Sequence, residues 1–353
     1  MLIPGAETEL PPLRPALAEE RAPRIVALGG GTGLPVLLRG LRETRSAGEA
    51  GWASAAGDLT AVVSVADDGG SSGRLRRAYG MLAPGDIRNC LLALAEDQGT
   101  LAELFGYRFN GRGDVTGHSL GNLILAALSQ MESRFEGAVE RAADLLSVRG
   151  RVLPATGEAV ALVAEFDDGT CVVGESRIAA ARRRIRRVRL EPAPVPALAQ
   201  ALQAIAAADV VVIGPGSLYT SLLPVLLVGG MSEAIARSGA QVVQVMNLMT
   251  EPGETDGLTA RDHLLTLREH APGLGVHDVI LNDAPLPESA RQQYAAEGAH
   301  PLAADAAALR ALGCGVWTGN LLAAGNLARH DPRKLACAVW KVAGRRRASA
   351  GRA

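Results

Sequence analysis

The segment Asp67-Asp68-Gly69-Gly70-Ser71-Ser72-Gly73-Arg74 sets two adjacent carboxylates before flexible backbone, two hydroxyls and a guanidinium. Neighbouring carboxylates repel unless a cation, a hydroxyl or an N–H group satisfies them. Asp67 and Asp68 could take Mg²⁺ or accept from ribose or sugar hydroxyls. Ser71 and Ser72 could donate to a phosphate, and Arg74 could neutralise it. The bland alternative is a solvated acidic turn. Gly29-Gly30-Gly31-Thr32-Gly33 is a second such string, and Gly214-Pro215-Gly216-Ser217 a third. Glycine lets backbone pass close to a ligand, and a helix that follows aims free N–H groups at an anion. Neither string has the G-x-G-x-x-G or the G-x-x-x-x-G-K-[ST] spacing, so neither a dinucleotide fingerprint nor a Walker loop is present there. Two more polar sets open helices: Asp86, Arg88 and Asn89, then His118, Ser119 and Asn122. Asn122 lies one turn beyond His118, so both could face one ligand.

These residues need a scaffold that brings them together. Residues 24–28, 59–66, 210–213, 241–247 and 278–283 read as short buried strands, most of them followed by a helix. Leu34, Leu37, Leu38 and Leu41 stripe one helix, and Ile87, Cys90, Leu91, Leu94 and Ala95 stripe another that Asp86 is placed to cap. Leu120, Leu123, Ile124, Ala127 and Leu128 are expected to form a third apolar face. Strands alternating with helices imply a Rossmann-like α/β fold, doubly wound, with a mostly parallel sheet. Right-handed crossovers then put the strand C-termini on one edge. The glycine strings, the Asp pair, Asn247 and the Asn-Asp pair after 281 all fall there, where ligands of open α/β sheets bind. Residues 151–190 alternate around a D-D-G-T turn and read as a β-hairpin insertion. Its arginines 182–184, 186, 187 and 189 read as a charged edge. A capped helix is expected from Thr259, with His263 and His270 on an exposed face, too few to hold a metal unaided. The span 301–318 is ambiguous.

The 353 residues suffice for a large core; 48% are hydrophobic and 21% charged, with 41 glycines. A net charge of -1 and 3% aromatics argue against nucleic acid as the partner. The four cysteines are widely spaced, without a C-x-x-C pair, which fits reduced thiols and a cytoplasmic location. No apolar run is long enough to span a membrane. The expected organisation is a flexible leader over 1–23, one α/β domain over 24–343 and a basic tail over 344–353 that includes Arg345, Arg346 and Arg347.

The strings ALGGGTGLPVLLRGL, VVSVADDGGSSGRLR, PGDIRNCLLALAE, GHSLGNLILAAL, VRGRVLPAT, IGPGSLYTSLLPVLLV and NLMTEPGETDG occur in this order between about residue 24 and about 330. They closely resemble the YvcK-like proteins, often called gluconeogenesis factors, within the superfamily of CofD-like 2-phospho-L-lactate transferases. The resemblance implies a CofD-type fold that binds UDP-sugars, notably UDP-N-acetylglucosamine, with no cofactor required. It also implies a regulatory role in growth on gluconeogenic carbon sources, cell shape and peptidoglycan synthesis. A cell-wall or signalling protein would be the partner, and a homo-oligomer is expected. On this footing Gly29 to Gly33 and Gly214 to Ser217 would take the phosphates. Asp67, Asp68 and Asn89 would hold hydroxyls or base edges, and His118 and Asn122 would close the site. Tyr294 could stack on a base and Arg329 could reach a diphosphate. The alternative is a transferase that moves a phospholactyl-like group from a nucleotide diphosphate donor. Mg²⁺ would then sit on Asp67 or Asp68, and His118 would be the base. The chain departs from the transferases immediately after the Asp pair, which leaves their acceptor site open. A plain oxidoreductase is disfavoured because G-x-G-x-x-G is absent.

Overall fold

A computed structural model describes residues 22–46, 58–96 and 99–350; all but the last two residues of the expected leader over 1–23, and residues 351–353 of the expected basic tail, lie outside the described residues. The strands are β1 (Ile25–Gly29), β2 (Leu59–Val63), β3 (Arg151–Pro154), β4 (Ala161–Phe166), β5 (Cys171–Val173), β6 (Ile185–Glu191), β7 (Val210–Ile213), β8 (Gln241–Val245), β9 (Asp278–Asn282) and β10 (Gly315–Gly319). A seven-stranded sheet runs β10-β9-β8-β7-β1-β2-β3 and is parallel throughout. β1, β2, β7 and β8 are buried along their whole length. Such strands, covered on both faces, read as unbroken apolar runs rather than alternating ones.

The chain travels outward from β1 through β2 to β3, then returns to the other side of β1 and continues through β7 to β10. The winding therefore reverses between β1 and β7. That is the switch point at which helices diverge to opposite faces and a crevice opens. The helix Gly33–Ser46 buries Leu34, Leu37, Leu38 and Leu41 completely. It packs against the helix Pro332–Ala350, where Trp340 Nε1 donates to Thr44 Oγ1 at 2.9 Å. Each fully buried leucine contributes roughly 1.5–3 kcal/mol. The last helix continues to Ala350, so the basic tail begins as helix rather than as free chain.

Several expectations change. Residues 151–154 join the main sheet as its edge strand. The insertion that follows contains the expected hairpin, β4 and β5 joined at the D-D-G-T turn, and adds the helix Glu175–Ala181 and a third antiparallel strand, β6, in the order β5-β4-β6. Its arginines do line an edge, and Arg183, Arg186 and Arg189 pair with Asp168, Glu165 and Glu191. The helix Leu120–Met131 is rotated from the expected stripe: Leu125, Ala126 and Leu128 are buried and Ala127 is exposed. Gly121 abuts the Phe105 carbonyl and Asn122 is inward, so small and polar residues, not leucines alone, define the buried face. His263 and His270 are 2% and 7% exposed, not on an open face. His270 Nε2 accepts from the Val188 N–H at 3.1 Å, capping the outer edge of β6. The ambiguous span holds the helix Ala306–Ala311 and β10.

Candidate functional site

The two glycine turns meet at the switch point. Leu28 pairs with Ile213 across β1 and β7, and Gly214 N donates to the Leu28 carbonyl at 2.9 Å. Gly31 has φ +64, a left-handed conformation that a side chain strains. Gly33 opens the next helix against the Pro215 carbonyl, where a Cβ has no room. Asn247, at the end of β8, accepts from Gly216 N and donates to the Gly216 carbonyl, both at 2.9 Å. Its amide therefore braces the second turn, which leaves Asn247 as a positioner more than a free donor.

A cavity of about 550 Å³ opens on these turns, lined by Thr32, Gly33, Pro215, Gly216 and Asn247 on one side and by Tyr294, Arg329 and His330 on the other. Tyr294 and Arg329 lie far from the glycine turns in sequence, and the structure puts them on the same cavity. His330 was not singled out by sequence. Burial pulls its imidazole down to about 4, so it is neutral. A second cavity of about 720 Å³ shares Asn247 and Leu248 with the first and extends along the end of β9 past Asn282 and Asp283.

Behind the first glycine turn stands an acidic wall. The Asp86 carboxylate accepts from Gly31 N–H at 2.7 Å. Asp86 is the second residue of the helix Gly85–Leu94, not its cap; Pro84 holds the cap position. Burial raises the Asp86 carboxyl to about 6, opposed by the Gly31 N–H and reinforced by the charge of Asp67. Asp67 Oδ1 accepts from Gly69 N–H at 2.8 Å, and Asp68 Oδ1 from Ser176 N–H at 2.9 Å. Ser176 belongs to the insertion, which thereby closes one side of the crevice. It brings Glu175, whose carboxyl burial and then the charges of Asp67, Asp86, Glu254 and Asp68 push up to about 9. Glu254 accepts from Thr220 Oγ1 at 3.0 Å and is raised to about 8 by burial and by Glu251. Burial also raises Glu251, whose Oε1 accepts from Asn247 Nδ2 at 3.2 Å. Glu251 and Glu254 stood in the string NLMTEPGETDG without an assigned role. Glu175 carried no sequence signal, because only the fold of the insertion brings it here.

The remaining expected residues form a flanking network. Asn122 Nδ2 donates to Ser71 Oγ at 3.0 Å, and Ser71 Oγ lies 2.9 Å from His118 Nδ1. Burial, then Arg74 and Arg108, lowers the His118 pKa, so the neutral ring accepts from the Ser71 hydroxyl. Arg88 donates to Ser119 Oγ and to Asn89 Oδ1, which ties two helix starts together. Arg74 is turned to the Thr116 carbonyl at 2.6 Å and braces that loop, while Ser72 and Gly70 lie in the first turn of the helix Gly70–Tyr79 beside Asp67. Among the described residues no group of three or more His, Cys, Asp and Glu side chains converges to hold a metal ion, and one oxygen of each residue in the Asp pair is already engaged by backbone. The donor set does not make a ready Mg²⁺ site. No helix among the described residues is long and apolar enough to cross a membrane.

A parallel α/β sheet with paired glycine turns at its switch point, the second braced by Asn247 just beyond β8, defines a Rossmann-like fold. The family model for 2-phospho-L-lactate transferase CofD matches residues 25–322. The chain belongs to the CofD family, in the branch whose members carry the name gluconeogenesis factor. It is 45% identical to the gluconeogenesis factor of Bacillus subtilis (strain 168) over 316 residues, 89% of this chain and 96% of that one. It is 45% identical over 347 residues to a putative gluconeogenesis factor of Nostoc sp., 97% of this chain and 73% of that one. A crystal structure of a UPF0052 family member from Bacillus halodurans is similar to it with a TM-score of 0.84 at 43% identity, covering 89% of this chain and 98% of that chain.

Proposed function

We propose that the chain is a regulatory protein that binds a nucleotide diphosphate sugar, with UDP-N-acetylglucosamine as the ligand class its family resemblance favours. The observation that carries this reading is the single cavity shared by the two glycine turns, Tyr294 and Arg329. Backbone N–H groups of Thr32 and Gly33, at the start of the helix Gly33–Ser46, suit phosphate oxygens, while Asp86 and Asn247 hold the Gly31 and Gly216 N–H groups and so fix the two turns. Tyr294 offers a stacking face for the base and Arg329 a planar cation for the diphosphate. The name its relatives carry, gluconeogenesis factor, supports a role in growth on gluconeogenic carbon sources. Cell shape and cell-wall synthesis follow from the ligand, a precursor of peptidoglycan. A binder of this kind signals only if the liganded and free states differ in free energy for a downstream partner.

Calorimetry tests the reading. UDP-N-acetylglucosamine should bind, and NAD and GDP should bind more weakly or not at all. Heat from a deazaflavin precursor with none from UDP-sugars would favour the transferase chemistry of the family instead. A turnover assay with a nucleotide diphosphate donor, a deazaflavin acceptor and Mg²⁺ addresses that chemistry directly.

A further inference from the structure

Three guanidiniums gather on one short loop outside both rim cavities. Arg74 Nη2 donates to the Thr116 carbonyl and Arg108 Nη1 to the Gly117 carbonyl, each at 2.6 Å. Arg88 Nη1 donates to Ser119 Oγ. The three cations thus bracket His118, on the loop that enters the helix Leu120–Met131. Glycines make room for them: a Cβ on Gly117 would lie 3.3 Å from Arg74 Nη2, and one on Gly121 2.9 Å from Arg88 Cδ. Every acceptor they hold is neutral, a carbonyl, a hydroxyl or the Asn89 amide. Among the described residues no salt bridge reaches Arg74, Arg88 or Arg108. Arg88 is 8% exposed, and its buried Nε–H has no partner. Burial, then the charge of Arg108, lowers Arg88 to about 10, with Asp86 and Asp67 acting in the opposite sense. The charges felt by His118 are those of Arg74 and Arg108. Like charges held together repel, and buried donors are rarely left unpaired, so the cluster lacks a counterion. Two helix starts add charge of the same sign, that of Leu120–Met131 and that of Gly70–Tyr79 with Ser71 in its first turn. Arg108 is exposed and Arg74 half-buried, so the cluster meets solvent. None of these side chains lines the two cavities at the rim.

We propose that this basic cluster is a second anion site, separate from the glycine turns, and that it binds the phosphate group of a small phosphomonoester, with Arg74 and Arg108 as its charged ligands. A phosphate dianion matches the two guanidiniums that meet solvent. Each guanidinium has five N–H donors, so its bond to the loop carbonyl leaves others for oxygens of the ligand. His118 accepts from the Ser71 hydroxyl at Nδ1, so its proton sits on Nε2 and adds a further donor. Asn122 Nδ2 donates to the same hydroxyl at 3.0 Å and fixes that arrangement. The inference stands apart from the nucleotide reading, because none of these side chains lines the cavity that carries it.

The test follows the ring signals of His118 by NMR, assigned by their loss in His118→Gln, at fixed pH and fixed ionic strength. Glycerol 1-phosphate should move them saturably, and so should inorganic phosphate, which is the same group without its ester; chloride and acetate should not. Arg74→Gln and Arg108→Gln should each weaken the apparent affinity for glycerol 1-phosphate by at least about fivefold, since each removes a charge-assisted contact. Arg108 is exposed, so its variant keeps the fold, and unchanged signals from the other histidines check this. Saturating UDP-N-acetylglucosamine should leave the glycerol 1-phosphate response in place. Signals that move with neither phosphate compound, or that respond as strongly in both arginine variants, would overturn the inference and leave the nucleotide reading intact. A response abolished by UDP-N-acetylglucosamine would show that the site is not a separate one. A response to inorganic phosphate without one to glycerol 1-phosphate would overturn the assignment to an ester. Failure of UDP-N-acetylglucosamine to bind would count against the nucleotide reading alone, because the glycerol 1-phosphate response is measured without it.

Discussion

Asp86 gives the sharpest energetic test of the crevice. Its carboxylate is held by Gly31 N–H at 2.7 Å, yet burial and the nearby charge of Asp67 raise it from 3.8 to about 6. The folded state therefore favours the protonated acid more than the unfolded chain does. Between pH 3.8 and about 6 the unfolded chain gives up its proton first, and stability falls as pH rises through that window. Above the upper value the loss is complete. At 1.36 kcal/mol per pH unit, that interval corresponds to about 3 kcal/mol, an upper limit because the surroundings relax. Asp86→Asn keeps an oxygen for the Gly31 N–H and removes the charge. The variant should exceed the wild type by only about 1 kcal/mol near pH 4.5 and by as much as about 3 kcal/mol at pH 7.5. Urea unfolding at the two pH values reads the difference directly. A stability gap that does not change with pH, or one that favours the wild type more at pH 7.5, would show that the Asp86 charge is not strained by burial and would refute the reasoning.

Other substitutions check the remaining parts of the site. Gly31→Val puts a β-branched residue at φ +64, beside Ser221 Oγ, and should weaken UDP-N-acetylglucosamine binding by at least about tenfold in calorimetry, since β-branched residues resist this conformation and fill the phosphate approach. Tyr294→Ala removes the stacking face of the cavity and should cost about 1–3 kcal/mol of affinity, read as a loss in Kd with little change in Tm. Thr259→Ala removes half of a reciprocal cap, in which Thr259 Oγ1 accepts from Asp262 N–H and the Asp262 carboxylate accepts from Thr259 N–H; chemical denaturation should show a loss of about 1 kcal/mol without a change in ligand affinity.

Much of this architecture was legible in residue order because parallel, doubly covered strands announce themselves as short apolar runs. β1, β2, β7, β8 and β9 each follow that pattern, and each hands a glycine- or Asp/Asn-containing turn to the same rim. The helix Leu120–Met131 was misread because its buried face includes Gly121 and Asn122, which hydrophobic periodicity discards. His263 and His270 were misread for a related reason: a polar ring satisfied by Thr259 or by Val188 backbone is buried without any apolar signature. The three-stranded insertion could not be separated from β3, since register across a sheet edge depends on partners remote in sequence. Glu175 depends on two such steps at once, the folding of the insertion and its docking on Asp68.

That docking changes what the insertion means for the crevice. The bond from Ser176 N–H to Asp68 and the close approach of Gly253 to the Ala179 carbonyl and to Arg182 attach the helix Glu175–Ala181 to two different rim turns. The first turn follows β2 and the second follows β8, the strands that flank β1 and β7, so the helix spans the switch point. The insertion also brings Glu175 into the field of Asp67, Asp86, Glu254 and Asp68, so the rim beside the first glycine turn is acidic on the insertion's side. The helix start at Gly33 supplies the opposite partial charge. Removing the insertion would therefore alter the electrostatics of the rim without touching the seven-stranded sheet that carries both glycine turns.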